Sequence, residues 1–154
     1  MKAVIQRCKN ASVIVNGSVV GKIGQGIVVL LGVFDYDNDE DLSILAKKTA
    51  NLRIFNDSQD KMNLSVKDTG GSVLVVSNFT LCADTKKGTR PSYSNAKAPK
   101  EANQMYENYC ELLRAEGLVV EQGVFGADME VNICSDGPVT ITLDTDMWVK
   151  RYED

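Results

Sequence analysis

The chain has 154 residues, 44% of them apolar and 25% charged, with a net charge of −4 and no histidine. This balance is that of an ordinary globular chain with room for a buried core. It excludes a membrane-spanning helix, a generic polyanion-coating surface, and every nucleophile system or metal site built on histidine.

Lys2 to Val15 is rich in Val, Ile and Ala with polar residues between them, and Asn16-Gly17 after it is a hairpin turn signal. Val19 to Ile23 returns, Gly24-Gln25-Gly26 turns again, and Ile27 to Val33 reads as a buried strand. The glycines at 21, 24 and 26 join strand to strand with no helix following, so a dinucleotide fingerprint fails and they read as turn glycines. Asn38 to Leu52 is the first helix: Asn38 caps it, acids fill its first turn, and Leu42, Leu45, Ala46 and Thr49 share one face. Arg53-Ile54-Phe55 leads into a polar connection, Asn56 to Asp60, followed by a short strand, Met62 to Ser65. Gly70-Gly71 turns into a second buried strand, Ser72 to Ser77, which delivers Ser77-Asn78-Phe79-Thr80-Leu81 at its end.

Ala83 to Ala98 is a long polar loop, the kind that in a compact domain is functional or mobile. Between Asp84 and Lys100 five cations (Lys86, Lys87, Arg90, Lys97, Lys100) face one acid, a local charge of +4 on an acidic chain. Asp35, Asp37, Asp39, Glu40 and Asp41 form the opposite pole. Such a loop fits docking of one nucleic-acid segment; it equally fits a solvated loop beside a helix start. Pro99 opens the second helix, whose apolar face is Ala102, Met105, Tyr106, Tyr109, Leu112 and Leu113, and Gly117 stops it. Leu118 to Val120, Glu130 to Cys134 and Val139 to Leu143 complete the strands, with Asp136-Gly137-Pro138 as a connector, and Trp148 and Tyr152 close the tail. The four cysteines are far apart and read as reduced, mostly buried thiols. Strands broken by two main helices indicate an α+β fold with a curled, mixed or antiparallel, barrel-like sheet, in one domain over 1–154. Met1-Lys2 runs straight into strand-like sequence, so no signal peptide is expected and the location reads as cytoplasmic.

Ser77-Asn78-Phe79-Thr80-Leu81 and Asp136-Gly137-Pro138-Val139-Thr140 resemble the two signature motifs of the D-aminoacyl-tRNA deacylases, usually Ser-Gln-Phe-Thr-Leu and Asn-x-Gly-Pro-x-Thr. The resemblance runs along the chain through Met1 to Arg7, Ala83 to Gly88 and Gly123 to Met129, departing at Asn78 for Gln and Ser135 for Asn. It implies hydrolysis of the ester bond of D-aminoacyl-tRNA by a homodimer with two active sites at the subunit interface, without metal or cofactor. tRNA is the partner it implies, with no DNA and no membrane.

It also implies roles for single residues. Ser77, Asn78, Phe79 and Thr80 would line the catalytic centre, where the Thr80 hydroxyl is either a nucleophile or a group that orients substrate or water. A hydroxyl without a base is a poor nucleophile, and there is no histidine to activate it. Gly137-Pro138, as a cis corner, would exclude L-amino acids from the partner's site; read alone, the pair is an ordinary trans turn before a strand. Asp136 and Thr140 flank and support the corner. Arg7 either braces it through a carbonyl or is a surface or interface arginine. Phe79 and Met129 either wall the adenosine pocket or belong to the core. Lys86, Lys87 and Arg90 would meet tRNA phosphates near the acceptor end. Family logic assigns the chemistry to the free ribose 2′-hydroxyl of the terminal adenosine, and a pure exclusion filter would also pass glycyl-tRNA.

Overall fold

The computed structural model describes residues 1–151; Tyr152, placed above in the tail, lies outside the described residues. Eight strands and two helices follow the order β1 (Lys2–Val15), β2 (Ser18–Ile23), β3 (Gly26–Gly32), α1 (Asp39–Asn51), β4 (Phe55–Asn56), β5 (Met62–Leu64), β6 (Ser72–Ser77), α2 (Pro99–Ala115), β7 (Val119–Gln122) and β8 (Glu130–Asp144). One edge of β1 carries β2 and β3 end to end, both antiparallel to it, while β8 runs antiparallel along the other edge from Lys2 to Ile14. β6 joins β3 in parallel and β7 joins β6 in parallel, so the six-stranded sheet is mixed. β4 and β5 form a separate two-stranded ribbon.

The sheet curls until β2 lies against β6 and β7. Gly21 permits that closure: a Cβ there would come within 2.6 Å of the Gln122 carbonyl oxygen. Two apolar layers result. Cys8, Ala11, Val13, Ile23, Val28, Leu74 and Val76 fill the curl, whereas Ile5, Ile27, Val29, Leu31, Val73 and Val75 face the helices. β3 and β6 are therefore buried on both faces, which is why they read as unbroken apolar runs instead of alternating ones.

The first helix is built as its sequence predicts. The Asn38 side chain accepts hydrogen bonds from the amides of Glu40 and Asp41, and the Asp41 carboxylate accepts one in return from the Asn38 amide at 3.0 Å. The second helix corrects the predicted face at one position. Leu112 is exposed and Cys110 is buried in its place, beside Tyr106, Tyr109 and Leu113. The Tyr109 hydroxyl donates to Thr49 Oγ1 at 2.8 Å and so ties the two helices together. Cys8, Cys82 and Cys110 are buried free thiols, and Cys134 is exposed.

A second correction concerns β8, predicted as two strands with a connector. It is one strand of 15 residues interrupted by a bulge: Gln6 pairs with Thr140 and Cys8 with Ser135, so Arg7 alone faces Asp136, Gly137, Pro138 and Val139. A Gly-Pro pair looks like a turn in sequence, but a bulge is the other place where a strand tolerates proline.

The opposite end of β1 carries a buried charged knot. The Met1 ammonium donates to Asp37 Oδ1 at 2.6 Å and to Thr145 Oγ1 at 2.6 Å, and lies 3.8 Å from Asp41. The Thr145 hydroxyl donates to Asp41 in turn, and Arg151 pairs with Asp37, Asp41 and Asp146. Burial alone would raise the Asp41 carboxyl; the hydrogen bonds from Arg151, Thr145 and the Asn38 amide outweigh it and hold Asp41 well below the usual carboxylate range. For Asp37 burial prevails over its pairing with the ammonium, and its carboxyl is raised.

Candidate active site

Parallel strands β3 and β6 end side by side, with Leu31 in register with Ser77. The Asn78 amide makes one more such bond, donating to the Leu31 carbonyl at 2.8 Å, and the chain then breaks into a short 3-10 turn, Phe79–Cys82. The leading amides of a helical turn have no acceptor inside it, so those of Phe79 and Thr80 remain free to serve a ligand. Gly32 lets the turn pack back on β3, since a Cβ there would lie 2.9 Å from Leu81 Cβ.

This turn borders a cleft of about 830 Å³. Leu31 and Val76 contribute its floor, Ser77 to Thr80 one margin, and two further segments, 93–99 and 125–129, the rest. The lining is largely apolar, with few polar groups, as in small-molecule sites generally. The Thr80 hydroxyl donates to Asn78 Oδ1, so the shorter amide at position 78 is engaged with its own neighbour. Among the described residues no carboxylate or amine is hydrogen-bonded to the Thr80 hydroxyl, although Asp128 and Lys97 line the same cleft. Cys82, the thiol in the same turn, is pushed up to about 11 by burial and is therefore a neutral thiol at physiological pH, not a nucleophile.

Of the predicted site residues, Ser77, Asn78, Phe79, Thr80 and Met129 come together in this cleft. Phe79 is 58% exposed and therefore not a core residue, whereas Met129 is half-buried and packs against the apolar layer inside the curl. Arg7, Asp136, Gly137, Pro138 and Thr140 gather elsewhere, at the β8 bulge, and none of them lines the cleft of their own chain. There Gly137-Pro138 is a cis peptide, and both residues are exposed. Arg7 is buried beneath them. Its Nε donates to the Asp136 carbonyl at 3.3 Å and lies 3.4 Å from the Asp136 carboxylate, while Nη1 donates to the Ile54 carbonyl at 2.8 Å. Gly137 has φ +123°, and a Cβ on it would meet Val139 at 2.9 Å and Arg7 Nη2 at 3.2 Å. Only glycine fits that position without strain. Thr140 accepts from Gln6 Nε2 at 3.4 Å. Lys86, Lys87 and Arg90 lie in an exposed loop closed by the Asp84–Ser92 bridge, outside the cleft lining.

Two aromatic lining residues, Phe125 and Tyr93, escaped the sequence reading, and Lys97, read only as one cation of the basic loop, lines the cleft beside them. Phe125 packs at 6.0 Å from the Tyr106 ring, Tyr93 meets Phe79 edge to face, and Lys97 supplies a cation. The available signal was an aromatic in each of two polar stretches, Gly123 to Met129 and Ala83 to Ala98.

The family model for D-Tyr-tRNA(Tyr) deacylase matches residues 4–144. The D-aminoacyl-tRNA deacylase of Pseudoalteromonas translucida (strain TAC 125) is 54% identical over 143 residues, covering 93% of this chain and 99% of that protein. That of Anaeromyxobacter dehalogenans (strain 2CP-C) is 54% identical over 145 residues, covering 94% and 97%. Among solved structures, one titled "c-Myc DNA Unwinding Element Binding Protein" superposes with a TM-score of 0.88 at 40% identity, covering 94% of this chain and 98% of that one. A probable eukaryotic D-amino acid tRNA deacylase shares the fold, with a TM-score of 0.79 at 18% identity and coverage of 92% and 97%.

Proposed function

Since this chain belongs to the D-Tyr-tRNA(Tyr) deacylase family, we propose that it hydrolyses the ester bond of D-aminoacyl-tRNA and releases free D-amino acid and tRNA. Water adds to the ester carbonyl, the bond from the carbonyl carbon to the ribose 3′-oxygen breaks, and that oxygen leaves with a proton. The amides of Phe79 and Thr80 are the donors for the oxyanion. The terminal ribose 2′-hydroxyl assists the water, which fits a cleft margin from Ser77 to Thr80 that carries a threonine and no titratable side chain.

The observation that carries this reading is the separation of two parts within one chain. A cleft stands at the end of β6, and a rigid main-chain corner stands exposed at the β8 bulge, where its own cleft makes no use of it. In a homodimer the corner enters the partner's cleft and excludes any side chain of L configuration, discriminating by collision without a tailored pocket. Glycine has nothing to collide, so glycyl-tRNA is also a substrate. tRNA reaches the cleft along the loop bearing Lys86, Lys87 and Arg90.

One deacylation assay tests the whole reading: D-aminoacyl- and glycyl-tRNA release their amino acid and L-aminoacyl-tRNA does not. Stable glycyl-tRNA at high enzyme concentration sinks exclusion. Replacing the terminal ribose with its 2′-deoxy form should slow hydrolysis by at least about 100-fold; an undiminished rate removes substrate assistance. A second reading, a nucleic-acid adaptor without catalysis, is favoured by the DNA-binding title of one structural relative. It requires bound tRNA with the ester left intact.

A further inference from the structure

The segment from Tyr93 to Lys97 is a built wall, not a loose loop. The Ala96 amide closes a turn on the Tyr93 carbonyl at 3.1 Å, Ala96 bridges to Phe34, and the Lys97 amide donates to the Val33 carbonyl at 3.0 Å. Tyr93 and Lys97 both line the cleft from this wall. Tyr93 is 40% exposed, its ring meets the Phe79 ring at 5.1 Å and 72°, and its hydroxyl has no partner among the described residues. A partly exposed aromatic at a cleft wall, held by a neighbouring ring, can serve as a stacking platform. Lys97 Nζ donates to the Asp35 carbonyl at 2.9 Å, which fixes the ammonium and leaves two N–H donors unspent. Immediately before this wall comes the exposed loop with Lys86, Lys87 and Arg90, so cations flank the aromatic on both sides along the chain.

We propose that this wall holds the single-stranded nucleotide that precedes the terminal adenosine of tRNA, its base stacked on Tyr93 and the phosphodiester on its 3′ side paired with Lys97. The assignment rests on the deacylase reading and goes beyond it, naming residues that grip the polynucleotide and not the aminoacylated end. The occupant is argued from charge and shape: a basic approach of +2 (Lys86, Lys87 and Arg90 against Asp84), a partly exposed aromatic and a fixed ammonium, in that order, match a single strand with alternating base and phosphate.

The test compares D-aminoacyl-tRNA with D-aminoacyl-adenosine, which lacks the nucleotide in question. Tyr93→Ala should lower the ratio of kcat/KM for tRNA to that for the adenosine ester about tenfold, and Tyr93→Phe should restore it. Equal losses on both substrates mean that Tyr93 merely props Phe79, and overturn the proposal, as does an unchanged ratio. Lys97→Met should reduce the slope of log K against log salt by about 0.7 for an RNA hairpin with a single-stranded 3′ end, measured by fluorescence anisotropy; an unchanged slope removes Lys97 from the contact. Should the wild-type chain release no amino acid from either ester, the deacylase reading alone falls. The hairpin binding then decides the wall, with a tenfold weakening by Tyr93→Ala for it and unaltered binding against it.

Discussion

Two polar regions of this molecule are built on opposite principles. The knot around Met1, Asp37, Asp41, Thr145 and Arg151 buries full charges and pairs them. The cleft margin from Ser77 to Thr80 exposes neutral groups and leaves main-chain amides without acceptors. Shifted carboxylates commonly mark active sites, yet here none of them lines the cleft: Asp37 and Asp41 belong to the knot, and Asp57 and Asp68 lie in the connections on either side of β5. Perturbed acids therefore do not point to the cleft. The proposed reaction, needing only a positioned water and oxyanion donors, accords with a margin from Ser77 to Thr80 that has no titratable side chain.

Removing one member of the knot should produce the largest effect. Asp41→Ala strands the Arg151 and Met1 charges and should cost about 3–5 kcal/mol of stability, read by denaturant unfolding. Deacylation per folded molecule should stay unchanged, and a selective loss of turnover would erase the contrast. The knot also sets acid sensitivity. The Asp41 carboxyl lies below its unfolded value in the native state, so its contribution is complete above about pH 4 and fades as pH falls further. Asp37, raised by burial, works in the reverse direction and offsets part of that loss. Asp41→Asn should therefore flatten the acid limb of a stability–pH curve.

Gly137→Ala comes next. Its Cβ falls on Val139 and Arg7 at a backbone angle that L-residues avoid, for a cost of about 1–3 kcal/mol. Because the strain displaces the corner, release from L-aminoacyl-tRNA should rise relative to release from D-aminoacyl-tRNA. Unaltered enantiomer selection in a folded G137A protein would detach the corner from specificity. The smallest effect belongs to Thr80→Ala, which removes one hydroxyl bonded to Asn78 and should change kcat/KM by about fivefold or less. Abolished turnover with intact substrate binding would make Thr80 the nucleophile after all.

Local chemistry made part of this legible from sequence. The Asn38 cap, the Asn16-Gly17 hairpin and the strand delivering Ser77 follow from short-range patterns, and the structure builds each of them. The β8 bulge was not legible, because Gly137-Pro138 has the same local signature in a turn as in a bulge, and only the register of β8 against β1 distinguishes them. The knot was invisible because its members meet across separations of up to 144 residues. Tyr93 was hidden in the polar loop and Lys97 was read there only as one cation among five, whereas the main chain just after β3, residues 33–35, ties that segment down. Leu112 shows the limit of a periodic face: at the edge of an apolar stripe, one position faces out and its neighbour two residues back, Cys110, faces in.

Arg7 grips the corner from below through acceptors that belong to the main chain, the carbonyls of Ile54 and Asp136. Genetic drift at positions 54 and 136 can exchange the side chains and leave those two bonds standing, whereas position 7 has no such freedom. Two codons, those of Arg7 and Gly137, thus carry the alignment of the bulge.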